Sequence, residues 1–128
     1  MMFLSPLLRE PNCPWLLEDT TAGAVLARSV QAAVDSESRR RGLLGRTGLG
    51  DAALVIAPCN AIHTFFMRFP IDVIFVDRTG RVLRIAASVP AWRMTGSWSA
   101  FATIELAAGT AARIGTTTGH TLALRSGF

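Results

Sequence analysis

The sequence contains no lysine and no tyrosine, only two cysteines, and no long apolar segment. Two cysteines are too few for the disulfide framework that stabilises many small secreted domains. Because a membrane-spanning helix needs a run of about 18–20 apolar residues, the sequence indicates no such helix. Hydrophobic residues make up 50% of the chain and charged residues 17%. This composition excludes intrinsic disorder, which requires low hydrophobicity and high net charge.

The distribution of apolar residues indicates one α+β domain. The chain has 128 residues, and a typical single domain has about 100–150. Residues 1–22 contain three prolines and no steady hydrophobic period, so we interpret them as an irregular lead-in to a domain over residues 23–128. We predict a curled, largely antiparallel, barrel-like sheet of six or seven strands with two short helices. The strands are predicted at 24–34, 53–57, 61–67, 71–77, 81–89, 101–107 and 121–125, and the helices at 37–45 and 108–114. The segment 24–34 is either one strand or a bent pair of strands, and the segment 90–100 is expected to be a loop.

Arginine supplies all thirteen positive side chains, which oppose nine acids for a net charge of +4. Residues 1–64 hold six arginines and six acids, whereas residues 65–128 hold seven arginines and three acids. A basic balance is a feature of nucleic-acid binding. The arginines are scattered, however, and no RNA-binding aromatic signature accompanies them, so we expect an ordinary solvated surface and no nucleic-acid partner.

The N-terminal apolar stretch is interrupted by Pro6 and then by Arg9 and Glu10. A secretory signal needs an uninterrupted apolar stretch before its cleavage site. We therefore expect no signal peptide, a cytoplasmic protein, and free thiols at Cys13 and Cys59.

Asp72 begins an apolar strand and shares one face of it with Ile74 and Val76. An unpaired buried carboxylate is costly, so this side chain must be paired, hydrogen-bonded or placed at the rim of the sheet. One interpretation is a carboxylate that faces a ligand pocket. The alternative is an aspartate at the strand edge that binds turn amides or an arginine.

Glu105 alternates with Ile104 and Leu106 in another predicted strand. It either lies on a solvated face or points inward and pairs with an arginine. The candidate partners are Arg39, Arg68 and Arg93. Two tryptophans, Trp92 and Trp98, could form the wall of a groove beside Arg93, because aromatic rings and a guanidinium together bind planar or anionic groups; alternatively, both cover a sheet edge.

Cys59, His63 and Met67 follow one another at intervals of four residues. Thiolate, imidazole and thioether are soft ligands that copper accepts. Four residues of an extended strand span about 13 Å, so coordination of one ion by all three would require two turns. The same distance argues against a Cys59–His63 nucleophile pair. We therefore favour a buried free cysteine, a hydrogen-bonded histidine and a packed methionine.

Several segments together resemble a known family. They are R-x-x-G-L-L-G-R at 39–46, FMRFPIDVIFVD at 66–77, I-E-L-x-x-G at 104–109, and the late Gly119. These segments are similar to the uncharacterised prokaryotic family called domain of unknown function 192. The resemblance extends over residues 24–125 and implies an α+β domain with a curled, barrel-like sheet, but no established activity. The family has an acid after the late glycine, where this chain has His120.

The positions that match the family are Arg39, Gly42, Met67, Asp72, Glu105 and Gly109. Four of them could converge at one end of a curled sheet. This convergence predicts Asp72 and Glu105 near an arginine, in a shallow pocket.

These observations favour a non-catalytic binding or accessory module for a small molecule or a peptide. Its pocket would be formed by residues of several segments: Arg39, His63, Met67, Asp72, Trp92, Arg93 and Glu105. One alternative is a structural or partner-interaction domain in which the polar residues are internal braces. The other is an enzyme that uses Cys59, His63 or Asp72, or a metal site. We expect no cofactor, no membrane partner, and a monomer or weak homodimer.

Overall fold

The structure is a computed structural model that describes residues 2–10, 13–33, 49–65 and 67–127. In these ranges the chain forms two short helices, α1 (Ser5–Arg9) and α2 (Thr110–Ile114). The strands are β1 (Trp15–Asp19), β2 (Ala24–Ala27), β3 (Ser29–Ala33), β4 (Ala52–Ile56), β5 (Ala61–His63), β6 (Ile71–Val76), β7 (Val82–Val89), β8 (Met94–Gly96), β9 (Ala102–Ala107) and β10 (Leu122–Ser126). None of the helices in this part of the chain has the length and hydrophobicity needed to cross a membrane.

The strands are divided among three sheets. The largest has the order β3–β4–β9–β6–β7, the second has the order β10–β1–β2, and β5 pairs with β8 alone. All named pairs are antiparallel except β3 with β4. The predicted combination of largely antiparallel strands with two short helices is therefore confirmed. The described residues contain ten strands rather than the six or seven predicted, because the segment 24–34 divides into two strands and β1 and β8 are additional. The described strands form no closed barrel, so the predicted barrel-like shape is not confirmed.

The five-stranded sheet separates two apolar clusters. Successive side chains of a strand point to opposite faces, and all six residues of β6 are buried. Ile74 and Val76 therefore belong to one cluster, whose other members include Leu17 of β1. Val73 and Phe75 belong to the second cluster, which we call the far cluster, together with Leu54 of β4. A strand that is apolar on both faces lies inside a sheet, and β6 lies between β9 and β7.

The N-terminal region differs from its prediction. Residues 1–22 were expected to be irregular, but they contain α1 and β1, and the buried Leu7 and Leu17 pack into the core. β1 pairs with β10 over the register from Trp15↔Ser126 to Asp19↔Leu122. This pairing joins residues more than a hundred positions apart, so local periodicity could not indicate it. The helix predicted at 37–45 lies outside the described residues.

Three further predicted segments have different limits. The strand predicted at 61–67 ends at His63, and the segment 90–100, expected to be a loop, contains β8. The segment 24–34 is a bent pair of strands, β2 and β3, as one of its two interpretations proposed. The short helix predicted at 108–114 is confirmed as α2.

Candidate functional site

Asp72 holds three backbone segments together. Its side chain is completely buried, and Oδ1 accepts hydrogen bonds from the amides of Ser88 at 2.8 Å and Gly109 at 3.2 Å. Oδ2 accepts from the amide of Ala111 at 2.9 Å. The carboxylate therefore stabilises the start of α2, whose first amides have no partners within the helix. This geometry matches the alternative in which Asp72 binds turn amides.

Glu105 lies beside Asp72 in the sheet but on its other face. In the β6–β9 register, Asp72 is opposite Leu106 and Val73 is opposite Glu105. Laterally paired residues point to the same face of a sheet, so Glu105 shares the face of Val73, whereas Asp72 shares that of Leu106. The structure therefore does not bring the two carboxylates into one pocket.

Glu105 is a largely buried carboxyl group whose neighbours on both adjacent strands are apolar. It is 5% exposed and lies between Leu54 of β4 and Val73 of β6, on the side of the far cluster. No hydrogen bond or ion pair joins it to another residue of the described chain. Burial raises the pKa of Glu105 to about 7. Glu105 is thus inward, as one interpretation held, but the arginine partner expected there is not found in the described ranges.

The expected arginine partners are elsewhere. Arg39 lies outside the described residues. Arg68 and Arg93 are exposed, and the Arg93 guanidinium donates to the Trp92 carbonyl at 3.4 Å.

The surface at the His63–Met94 end of the β5–β8 pair carries a group of aromatic and apolar side chains, which we call the aromatic surface. It consists of His63, Phe65, Trp92 and Met94. The ring of His63 stacks on Phe65 with centroids 4.7 Å apart, and Phe65 stacks on Trp92 at 5.5 Å. Met94 is directly opposite His63 in the pair and is 75% exposed, while Trp92 is 57% exposed. Large apolar side chains grouped on a surface mark contact sites more often than single ones do.

Thr64 fixes the backbone beneath the aromatic surface. Its completely buried hydroxyl donates to the Pro90 carbonyl at 2.6 Å and accepts from the Arg93 amide at 2.9 Å. The Thr64 amide donates to the Arg93 carbonyl, and the Trp92 amide donates to the Thr64 carbonyl. These bonds hold Trp92 at φ +64°, a left-handed conformation that non-glycine residues rarely adopt.

The three side chains considered for metal binding make different polar and ring contacts, although Cys59 and Met67 both pack against the far cluster. The Cys59 thiol donates to the Ala61 carbonyl at 3.1 Å, the His63 ring stacks on Phe65, and Met67 packs against the far cluster. No group of three or more histidine, cysteine or acidic side chains that could hold a metal ion occurs in the ranges that the structure describes.

A second polar cluster was not foreseen from the sequence. Asp19 is completely buried, and its Oδ2 accepts hydrogen bonds from Thr116 Oγ1 and His120 Nδ1, both at 2.8 Å. Its Oδ1 accepts from the amides of Thr21 and Ala22. Burial alone would raise the pKa of Asp19, but the hydrogen bonds from His120, Ala22 and Thr116 outweigh it and lower the pKa. The one signal in the sequence was His120 itself, which departs from the family pattern.

The sequence profile of the family domain of unknown function 192, described as uncharacterised ACR, matches residues 17–124. The chain belongs to this family. The match confirms the resemblance stated above and extends it to β1, which lies in the segment first interpreted as a lead-in. The sequence matches none of the curated proteins.

Two solved structures are similar to this member of the family. A protein of unknown function from Novosphingobium aromaticivorans is 27% identical, with a TM-score of 0.73 over 85% of this chain and 82% of that one. A candidate transcription regulator from Sinorhizobium meliloti is 22% identical, with a TM-score of 0.75 over 86% of this chain and 91% of that one. The second likeness concerns the fold alone.

Proposed function

We propose that this protein is a non-catalytic binding module whose aromatic surface binds a peptide segment carrying apolar and acidic side chains. The observation that carries the proposal is the position of Trp92, which is 57% exposed although its backbone is in the left-handed region. Such a conformation costs about 1–2 kcal/mol. A strained backbone that presents a large apolar side chain to solvent favours a role in contact with a partner.

A peptide is favoured because β5 and β8 form a sheet that has two strands among the described residues. Each strand has one edge without a neighbouring strand in the described chain, and an extended peptide can add to such an edge through backbone hydrogen bonds. The stacked rings of His63, Phe65 and Trp92 lie at the end of this pair where His63 is opposite Met94. They would contact alternate side chains of the added peptide.

An acidic peptide is favoured by the charges nearby. The segments 59–70 and 84–100 contain three arginines, Arg68, Arg84 and Arg93, and no acid. All three arginines are exposed, and one of them, Arg84, donates to the Gly96 carbonyl of β8. Positive side chains around an apolar centre attract a partner of opposite charge and speed its association.

The absence of catalysis is part of the proposal and is supported by the local contacts of the nucleophile candidates. The Cys59 thiol donates to a backbone carbonyl, and the His63 ring is engaged by Phe65. Asp72 is occupied by three amides.

The test uses a dye-labelled peptide in which Glu and Asp alternate with Leu and Phe, and fluorescence polarisation as the readout. We expect saturable binding that weakens by about tenfold in Trp92→Gly, because about 1.4 kcal/mol of stacking is lost. The stability of folded Trp92→Gly should be within about 1 kcal/mol of the original. Glycine adopts the left-handed conformation without strain, and this gain offsets the loss of ring stacking. Binding that is equally strong when Lys replaces the acids would refute the acidic specificity.

Trp98 provides a matched control. It is 96% exposed and lies in the connection after β8, outside the ring stack. Trp98→Gly should leave binding within about twofold, as surface changes away from a contact usually do. If the labelled peptide does not bind, or if both tryptophan variants lose it equally, the alternative of a structural domain without this site replaces the proposal.

A further inference from the structure

A cleft of about 480 Å³ lies on a different part of the surface, between the β6–β7 turn and the connection from β8 to β9. Its lining includes Asp77, Arg78 and Thr79 from the turn, and Ser99 and Phe101 from the connection. Pockets for small organic ligands have volumes of about 300–1,000 Å³. The cleft therefore has room for a molecule larger than a simple ion.

The Arg78 guanidinium is the cationic group of this cleft. Its central carbon lies 4.3 Å from the centroid of the Phe101 ring, over the ring face. A cation in this position is held by the ring quadrupole, and its N–H groups keep their hydrogen-bonding capacity. No carboxylate forms an ion pair with Arg78 in the described part of the chain.

The neighbouring acid, Asp77, is already occupied. Its Oδ1 accepts hydrogen bonds from the Thr79 amide at 2.9 Å, the Thr79 hydroxyl at 2.6 Å and the Arg81 amide at 3.1 Å. The Asp77 charge is therefore satisfied within the turn and by the positive charge of Arg81 beside it. The Asp77 carboxylate therefore does not form an ion pair with the Arg78 guanidinium.

The backbone around Arg78 is rigidly placed. The Arg78 carbonyl accepts a hydrogen bond from the Phe3 amide at 2.7 Å, and the Gly80 amide donates to the Asp77 carbonyl at 3.1 Å. Gly80 has φ +92°, and a Cβ there would lie 2.3 Å from the Leu122 carbonyl oxygen. The turn is thus fixed from both sides, which lowers the entropic cost of binding at its arginine.

We infer that this cleft is a second binding site, for a small molecule that carries an oxyanion, either a carboxylate or a phosphate. The oxyanion binds the Arg78 guanidinium through paired N–H donors, a geometry that arginine favours. Ser99 lines the same cleft and its hydroxyl is a further donor for the oxyanion, whereas the Thr79 hydroxyl already donates to Asp77. The Phe101 ring contacts the apolar part of the ligand. The site uses none of the residues of the aromatic surface.

The experiment is a titration of the ¹⁵N-labelled protein, followed by NMR, with sodium phosphate in one arm and sodium acetate in another. Sodium chloride at equal ionic strength and pH is the third arm. We expect saturable shifts of the Arg78 side-chain N–H and of the Thr79 and Ser99 amides with phosphate, acetate or both, and none with chloride. The stronger of the two arms identifies the class of oxyanion.

Two arginine variants separate a specific site from general charge attraction. Arg78→Lys keeps the charge but loses the planar fork, and it should weaken the saturable binding by about tenfold. Arg113→Lys, at an exposed arginine of α2, should leave the binding unchanged. Shifts that do not saturate, that chloride reproduces, or that survive unchanged in Arg78→Lys would overturn the inference.

The result is independent of the proposed function. Trp92→Gly should bind the anions as the original chain does, because Trp92 is not part of the cleft. Loss of peptide binding with intact anion binding would locate the defect at the aromatic surface. Loss of anion binding with intact peptide binding would locate it in the cleft.

Discussion

Two buried carboxyl groups on adjacent strands illustrate opposite uses of the same chemical group. Asp72 accepts hydrogen bonds from three backbone amides, whereas Glu105 has no hydrogen-bond partner in the described residues. Buried polar groups are stabilising only when they are satisfied. The two side chains should therefore respond oppositely to replacement.

Replacing Asp72 by Ala should destabilise the protein by about 3 kcal/mol, because each buried donor left without a partner costs about 1–3 kcal/mol and water can reach some of them. Urea denaturation at pH 7 measures the change. Asp51→Ala, at an exposed aspartate, is the control and should change stability by less than about 0.5 kcal/mol. Equal stability of the Asp72 variant and the original chain would mean that the carboxylate does not hold the start of α2.

Replacing Glu105 by Leu should increase the stability at pH 8. At this pH the original side chain is ionised, since its pKa is raised to about 7, and the buried charge has no partner in the described chain. The gain should be about 1–3 kcal/mol, the usual cost of a buried unsatisfied group. Urea denaturation at pH 8 tests it. A loss of stability in the leucine variant would show that the carboxylate is satisfied in the folded protein.

Among the elements, the β5–β8 pair depends on one buried threonine. Thr64 connects the end of β5 with the segment that precedes β8 through bonds to Pro90 and Arg93. A second threonine, Thr95 of β8, has a buried hydroxyl without a hydrogen-bond partner in the described part of the chain. The two residues allow a matched comparison of the same substitution.

Thr64→Val should reduce stability by about 1–3 kcal/mol, because it leaves the Arg93 amide without its acceptor. Hydrogen exchange should become faster at the amides of Trp92 and Arg93, and peptide binding at the aromatic surface should weaken. Thr95→Val removes a hydroxyl that has no hydrogen-bond partner among the described residues, so it should leave stability unchanged or slightly increased. Identical effects of the two substitutions in hydrogen exchange would argue against the role of Thr64.

A further set of hydrogen bonds joins the end of β1 to the segment that precedes β10. The Asp19 carboxylate at the end of β1 binds Thr116 and His120, which lie between α2 and β10. These hydrogen bonds stabilise the region of the three-stranded sheet where β1 pairs with β10. Since several backbone and side-chain donors converge on one buried carboxylate, its ionised form is the one that the fold requires.

For the molecule as a whole, stability should be greatest at mildly acidic pH. The folded protein favours protonated Glu105, so the contribution of this group is fully present below its ordinary pKa of 4.5 and is lost as the pH rises through about 7. The loss amounts to about 3 kcal/mol at pH 8. The pKa values of Asp19 and Asp77 are lowered instead, so their contributions are present above 3.8 and are lost as the pH falls through the folded values.

Melting temperatures measured from pH 3 to pH 8 test this profile. We expect a maximum at about pH 4–5 and a decline on both sides. Glu105→Gln should abolish the decline between pH 5 and 8 and leave the acid side unchanged. A melting temperature that rises between pH 5 and 8 in the original chain would contradict the assigned behaviour of Glu105.

Most strands could be predicted from the sequence because apolar alternation is a property of the extended chain itself. The segments 71–77 and 101–107 contain β6 and β9 almost to the residue. β1 and β8 were missed for a common reason. Both are stabilised by partners distant along the chain, such as Ser126 for Trp15 and His63 for Met94.

The sequence predicted which residues of the candidate site are unusual, but it did not predict their positions relative to one another. Asp72 and Glu105 were correctly selected as polar groups in apolar strands, and both are buried. Their convergence with Arg93 and Trp92 into one pocket is not what the structure contains. The ring stack was also missed. Phe65 lies in a turn, and the ring that stacks on it belongs to Trp92, in a distant segment of the chain.

The sequence alone thus established the family, the α+β class and the residues whose burial needs an explanation, because these depend on local composition and pattern. The tertiary structure decided which partner each residue meets. Strand register places Asp72 and Glu105 on opposite faces, and turn geometry places Trp92 against Phe65. Register and turn contacts depend on interactions between distant segments, which the order of residues along one strand does not contain.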